Sequence, residues 1–157
     1  MPEFDDAASF WDAKYAEADY LFGTHPNAFL QREGWRLRPG WRVLAVADGE
    51  GRNGVWMAEK GLDVVSVDVS PRAQEKARAL AAERGVTLEF HNEDVRAFDM
   101  GERAFDAVVA IFIQFAPPGT REAFFQRMRR ALKPGGLLFL QGYRPEQVDY
   151  GTGGPPY

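Results

Sequence analysis

The stretch from Trp41 to Gly54, WRVLAVADGEGRNG, constrains the fold of this 157-residue chain more than any other. It opens with Val43, Leu44 and Val46, a short run of β-formers suited to a strand buried on both faces. The run breaks at Gly49 and Gly51, where a residue without Cβ lets the backbone turn tightly or lets a ligand approach it. Val55, Trp56, Met57 and Ala58 then read as the first turns of a helix. A strand, a glycine-rich turn and a helix in this order begin a doubly wound α/β domain that holds a nucleotide at the turn.

Taken literally, Gly49-Glu50-Gly51-Arg52-Asn53-Gly54 satisfies the G-x-G-x-x-G fingerprint of dinucleotide binding. Its neighbours speak against a dinucleotide. A pyrophosphate would rest on the backbone N–H groups of this turn, where Asp48 and Glu50 would face its charge at close range. S-adenosylmethionine carries no phosphate, and its sulfonium and ammonium groups are cationic. The acids therefore favour the methyl donor over NAD.

A chain of this length forms one domain with a proper core. Its 45% hydrophobic and 27% charged residues are ordinary for a globular protein. With 19 basic against 23 acidic residues the net charge is −4, so no electrostatic footprint for nucleic acid is expected. The absence of cysteine excludes disulfides, thiolate chemistry and cysteine-held metals, and no other metal site is expected. No apolar run is long enough to span a bilayer, and the acidic start MPEFDDAASFW lacks the regions of a signal peptide. A cytoplasmic protein with no membrane partner is the expectation.

Elsewhere strands and helices alternate. Residues 5–20 predict an amphipathic helix with Phe10, Trp11, Tyr15 and Ala18 on one face. A turn at Gly23, Pro26 and Asn27 leads to a second short helix containing Phe29, Leu30 and Trp35. A helix over about 53–60 ends at Gly61, and residues 62–68 form the second strand. Ser70-Pro71 caps a helix running to Gly85, with Ala73, Ala77, Leu80 and Ala81 inward. Val86 to His91 is the third strand and Phe105 to Ile111 the fourth. Thr120 caps the next helix, whose inner face carries Phe124, Phe125, Met128, Ala131 and Leu132. Lys133-Pro134-Gly135-Gly136 stops it, and Leu137 to Gln141 is the fifth strand. The alternation implies a parallel sheet covered by helices on both sides.

In such a sheet the ligand lies beyond the carboxyl ends of the strands, at the switch point beside strand one. Those ends supply Ala47 to Gly51, Asp68 with Val69, Asp94 with Val95, and Ile111, Phe112 and Gln114. Asp68 follows Gly49 by 19 residues, the spacing at which a carboxylate accepts from both ribose hydroxyls. Asp94 is placed to accept from the adenine amino group, with Val95 giving a backbone N–H and apolar contact.

On these residues the chain resembles the class I S-adenosylmethionine-dependent methyltransferases. It is similar within them to the small tellurite-resistance and thiopurine-type enzymes. The matching segments are VLAVADGEGRN (43–53), VVSVDVSP (64–71), EFHNEDV (89–95), FDAVVAIF (105–112) and LKPGGLLFL (132–140), with FWDAKYAEADYLFGTHPNAFL ahead of them. The resemblance implies a Rossmann-like sheet of order 3-2-1-4-5, with a helical lid over 1–38, a core over 41–142 and a tail over 143–157. It implies that Gly49 and Gly51 line the methionine part of the donor and Asp68 holds the ribose, with Ala47, Asp48, Glu50, Asn53 and Val69 also among the cofactor-binding residues. Asp94 and Val95 would hold the adenine, Ile111 and Phe112 the side near the methyl group, and Trp11, Phe22 and Gly23 the lid. Arg52 and Asn53 either cap the first helix after the loop or touch the donor. Gln114, Phe112 and Arg52 are candidates for positioning an acceptor, and no catalytic base is identified.

The chain departs from the family at several positions. The family usually has an acid where Ala45 stands and a glycine where Ala47 stands; Asp48 or Glu50 would then face the donor's ammonium group. Gln114 stands where relatives often have a histidine, and His25 and His91 read as a lid-turn and a strand residue. The sequence ends at Tyr157, short of the family's further helix and two antiparallel strands. This predicts a strand-five edge that is either exposed or completed by a second copy. The expected activity is in-line methyl transfer to a small nucleophile, with a thiol or a chalcogen oxyanion suiting a site without a base. The rivals are a non-catalytic binding or association module and an NAD(P)-binding oxidoreductase.

Overall fold

Five runs of β-forming residues assemble into one parallel sheet. The computed structural model describes residues 7–16, 19–113 and 118–142. Its strands are β1 (Arg42–Val46), β2 (Asp63–Asp68), β3 (Glu89–Asn92), β4 (Phe105–Ile111) and β5 (Leu132–Gln141), in the order β3-β2-β1-β4-β5. Its helices are α1 (Ala7–Lys14), α2 (Ala28–Glu33), α3 (Arg52–Glu59), α4 (Pro71–Arg84) and α5 (Pro118–Ala131), with a 3-10 turn at Gly34–Arg36 after α2. The expected fold class and strand order are present. The order reverses at β1, which pairs with β2 on one side and β4 on the other. The loop after β1 therefore sits at the switch point.

Alternation along each central strand divides the core in two. Leu44 and Val46 of β1, Val65 and Val67 of β2 and Val108 and Ala110 of β4 face one side, against Phe124, Met128 and Ala131 of α5. Val43 and Ala45, Val64, and Ala107 and Val109 face the other, against Leu30 of α2 and Met57 of α3. Leu44, Met57, Leu80 and Met128 are almost entirely inaccessible, and each such side chain contributes about 1.5–3 kcal/mol on burial. Ala45 belongs to the second layer. An acid there would enter apolar packing, so its replacement by alanine is compatible with this core.

Four boundaries differ from the sequence expectation. The third strand begins at Glu89 rather than Val86. Gly85 leaves α4 with φ +69, and Val86 N–H then bonds Ala81 O at 3.0 Å, so the residues after the glycine complete the helix end. Helix α5 starts at Pro118, so Thr120 lies inside its first turn and is not the cap. Helix α5 ends at Ala131, before Lys133; Leu132 opens β5, and Lys133 to Gly136 bulge within that strand between the pairs Phe105–Leu132 and Ala107–Leu137. The first helix ends at Lys14, and Ala18 lies outside the described residues. At the sheet edge β5 leaves Leu138 and Leu140 exposed. Among the described residues no helix is long and apolar enough to cross a membrane.

Candidate functional site

The carboxyl ends of β1 and β2 are locked together through one carboxylate. Asp68 ends β2, and its Oδ2 accepts from Gly49 N–H at 2.9 Å while its Oδ1 accepts from Ser70 N–H at 2.9 Å. Burial pushes its pKa up, against these backbone bonds. Val69 N–H also lowers it, so three backbone donors stabilise this carboxylate. Asn92, at the end of β3, donates Nδ2–H to Asp68 O at 3.0 Å and aligns the third strand end with the second.

The other loop acids turn toward the protein. Asp48 Oδ1 accepts from Gly54 N–H at 3.2 Å and Oδ2 from Ser66 Oγ–H at 2.8 Å. Burial outweighs these bonds and raises its pKa to about 7, with Asp68 adding repulsion. Glu50 is also buried; its Oε1 accepts from Leu21 N–H at 2.7 Å and its Oε2 from Lys76 Nζ at 2.8 Å. Lys76 further donates to Asp19 O at 2.8 Å, and Tyr20 Oη–H bonds Lys76 O at 3.1 Å. Glu50 thus fastens residues 19–21 and α4 to the loop.

The lead-in helix lies across the same loop. Asp12 of α1 accepts from Ser70 Oγ–H and from Arg72 N–H at 2.9 and 3.1 Å. The Arg72 backbone bond is the main reason its carboxyl is held below the usual range. Tyr15 follows α1, stacks on Trp11 with centroids 5.9 Å apart, and meets Phe22 edge-on at 6.5 Å. Its hydroxyl rests on Gly49, 2.8 Å from where a Cβ would stand. Burial, then Asp68, Glu50 and Asp48, push the Tyr15 phenol up and keep it protonated.

The remaining sequence candidates fall as follows. Ala47 and Phe112 follow the ends of β1 and β4 with φ +51 and +55, a left-handed conformation that L-residues rarely adopt. This accounts for the family's glycine at the Ala47 position and marks both strand exits as strained. Phe112 is exposed, and its N–H bonds Gln141 O at 2.7 Å, while Ile111 is half-buried. Neither Arg52 nor Asn53 caps α3; Gly51 occupies the N-cap position with no side-chain cap bond. Asn53 Oδ1 instead accepts from Asn27 N–H at 2.8 Å, and Asn27 caps α2. Asp94 is engaged by the Arg96 guanidinium and by Arg96 N–H at 2.9 Å. Burial pushes its pKa up, but the Arg96 bonds win and hold it below the usual range. Val95 is buried beside Ala110 and Ile113. Gly23 is exposed with φ +78, Val69 is half-buried, and Gln114 lies outside the described residues.

The structure therefore gathers the 47–51 loop, Asp68, Trp11, Phe22, Arg52 and Asn53 around one place. It adds Tyr15, Asp12 and Lys76, which the sequence did not mark as site residues. The Trp11–Tyr15 spacing was a usable signal for Tyr15, since i and i+4 share a helix face. Nothing local pairs Asp12 with α4 or Lys76 with Glu50.

Comparison with known proteins accords with this geometry. Residues 43–136 match the methyltransferase domain family. The chain belongs to the class I S-adenosylmethionine-dependent methyltransferases. It is 35% identical over 103 residues to an uncharacterised protein of Mycobacterium tuberculosis, covering 65% of this chain and 37% of that one. It is 32% identical over 123 residues to probable thiol methyltransferase 2 of Arabidopsis thaliana, covering 76% and 52%. The solved structure of a Pyrococcus horikoshii protein superposes with a TM-score of 0.63 at 30% identity, over 70% of this chain and 54% of the other. The chain thus spans about a third of the length of the mycobacterial relative and about half that of the plant one.

Proposed function

We propose that this chain transfers a methyl group from S-adenosylmethionine to a small-molecule nucleophile, with a thiol or a chalcogen oxyanion as the acceptor class. The observation that carries the reading is Asp68. It is a buried carboxylate at the β2 end, pinned by Gly49 N–H and Ser70 N–H beside the glycine loop. A rigid carboxylate at this strand end, 19 residues after Gly49, suits the paired hydroxyls of a ribose. The family match supports the donor, and the Arabidopsis relative supports a thiol acceptor.

The donor supplies an electrophilic methyl group on sulfur. The residues bind, orient and exclude water around it. Asp68 holds the ribose, and Asp48 braces the loop from beneath rather than meeting the ligand directly. Trp11, Tyr15 and Phe22 form an aromatic cover, and Ile111 and Phe112 border the reacting end. Asp94 serves the adenine through the oxygen directions left by Arg96, with Val95 as apolar contact.

A thermal-shift panel tests the reading. S-adenosylmethionine and S-adenosylhomocysteine at 100 times their Kd raise stability by about 2.7 kcal/mol, while NADH leaves it unchanged. Stabilisation by NADH alone would sink the proposal. Transfer of labelled methyl to small thiols, selenite and tellurite then identifies the acceptor class, and absence of transfer to all three overturns that part.

A further inference from the structure

We infer that Arg127 of α5 is a positioning residue for base recognition: it fixes the turn over 94–98, and that turn sets how selectively the chain reads the base of the methyl donor. The inference rests on the donor assignment above, with the adenine at Asp94 and Val95, and names a residue outside that contact which governs it.

Residues 94–98 form one isolated turn after β3. Ala97 N–H and Phe98 N–H both bond Asp94 O at 2.9 Å, and Arg96 N–H bonds Asp94 Oδ1 at 2.9 Å. Asp94 thus closes the first end of the turn with its own carbonyl and side chain. A lone turn fixes many dihedral angles for few hydrogen bonds, so it does not hold its shape in water unaided. Its other end presents the carbonyls of Val95, Arg96 and Phe98, which a single turn cannot satisfy. Arg127 satisfies all three. Its Nη1–H groups donate to Val95 O at 3.1 Å and to Arg96 O at 2.8 Å, and its Nη2–H donates to Phe98 O.

The strand that leads into the turn is a weak anchor. β3 has four residues, lies at the sheet edge and pairs with β2 alone. The Arg96 guanidinium on the Asp94 carboxylate belongs to the turn and moves with it. Helix α5 is the firm anchor: Phe124, Met128 and Ala131 are buried in the same core layer as Val95, and Arg127 adjoins Met128. Arg127 therefore ties the turn to the packed centre of the domain. A guanidinium suits the task, because its rigid fork of donors reaches three carbonyls at once, whereas an ammonium is a single point on a flexible stem. A tilt of the turn displaces the Asp94 carboxylate and the Val95 N–H together. Asp68, on β2, stays in place, so loss of Arg127 acts on the base and spares the ribose.

Titration calorimetry with two ligands tests this. S-inosylhomocysteine differs from S-adenosylhomocysteine in carrying an oxygen where adenine has its amino group. The unaltered protein prefers the adenosyl ligand by about 10-fold or more, as loss of a hydrogen bond to a charged group predicts. Arg127→Met lowers that preference by about 5-fold or more, through weaker adenosyl binding, and leaves the inosyl ligand within about 2-fold. Arg127→Lys recovers part of the preference. Arg127→Gln gives the same readout where the methionine variant does not fold. An unchanged preference overturns the inference, whether both affinities hold or both fall equally, because a merely structural role has that outcome. Equal binding of the two ligands by the unaltered protein also overturns it and leaves the donor assignment standing. If the unaltered protein binds neither ligand, the donor assignment fails and the role of Arg127 falls with it.

Discussion

Gly51→Ala is the sharpest probe of how the loop is held. Gly51 has φ +87, and a Cβ built there would stand 2.7 Å from Ala77 Cβ and 3.0 Å from Ala77 Cα, with Val55 Cγ2 at 3.5 Å. The backbone conformation costs an L-residue about 1–2 kcal/mol. Forcing a methyl group against α4 adds about 1–3 kcal/mol, because the obstructing atoms are the Cβ and Cα of buried Ala77, which have no rotamer by which to swing aside. Stiffening of the unfolded chain returns about 0.4–1 kcal/mol. The net loss is roughly 2–4 kcal/mol, which for a urea m-value of about 1–3 kcal/mol/M moves the midpoint by on the order of 1–2 M. Equilibrium urea unfolding followed by circular dichroism measures it. Ala77→Gly in the same chain removes the nearer contact, so the double variant loses less than the sum of the singles, with a coupling of about 1 kcal/mol or more. A Gly51→Ala loss below about 0.5 kcal/mol, or strictly additive variants, would refute the close packing of loop against helix as the reason for glycine here.

Two further perturbations separate the roles of the buried acids. Asp48 has a folded pKa near 7 against an unfolded value near 3.8, so the folded state holds the extra proton between them. Its stabilising contribution is complete below about pH 4 and is lost as pH rises through 7. Asp48→Asn keeps an acceptor for Gly54 N–H and a partner for Ser66, so its stability falls less from pH 5 to 8, by roughly 1–3 kcal/mol; identical urea midpoints across that range for both proteins would show that Asp48 does not titrate with folding. Lys76→Met leaves the Glu50 carboxylate buried without its ion-pair partner and costs about 3 kcal/mol or more. Adding Glu50→Gln restores part of that stability in thermal or urea unfolding. A double variant less stable than Lys76→Met alone would contradict the clasp.

Much of the frame was legible in the sequence because its signals are local. Periodicity places β4 at Phe105–Ile111 and the inward face of α4 at Ala73, Ala77, Leu80 and Ala81, all confirmed as buried. Proline at position 71 behind Ser70 and glycine at 85 mark the ends of α4 for stereochemical reasons that need no neighbours. Position 68 was legible too, because its distance from the glycine loop follows from the βαβ unit. The start of β3 was misjudged, since a β-rich composition cannot reveal that Val86 first closes the preceding helix.

What the sequence determined alone is the alternation of strands and helices, the location of the ligand loop and the acidic residues around it. These follow from hydrophobic period, glycine position and charge, which act over a few residues. What only the tertiary structure decided is which of those charges are available. Asp48 and Glu50 read alike in the string GEG and its neighbour, yet both turn inward to partners at Gly54, Ser66, Leu21 and Lys76. Tyr15 and Arg52, 37 residues apart in the sequence, meet the same Phe22 ring. The physical reason is that a polar group's availability depends on every donor and acceptor that folding brings within about 3 Å of it. That inventory comes from long-range contacts, which no local pattern contains.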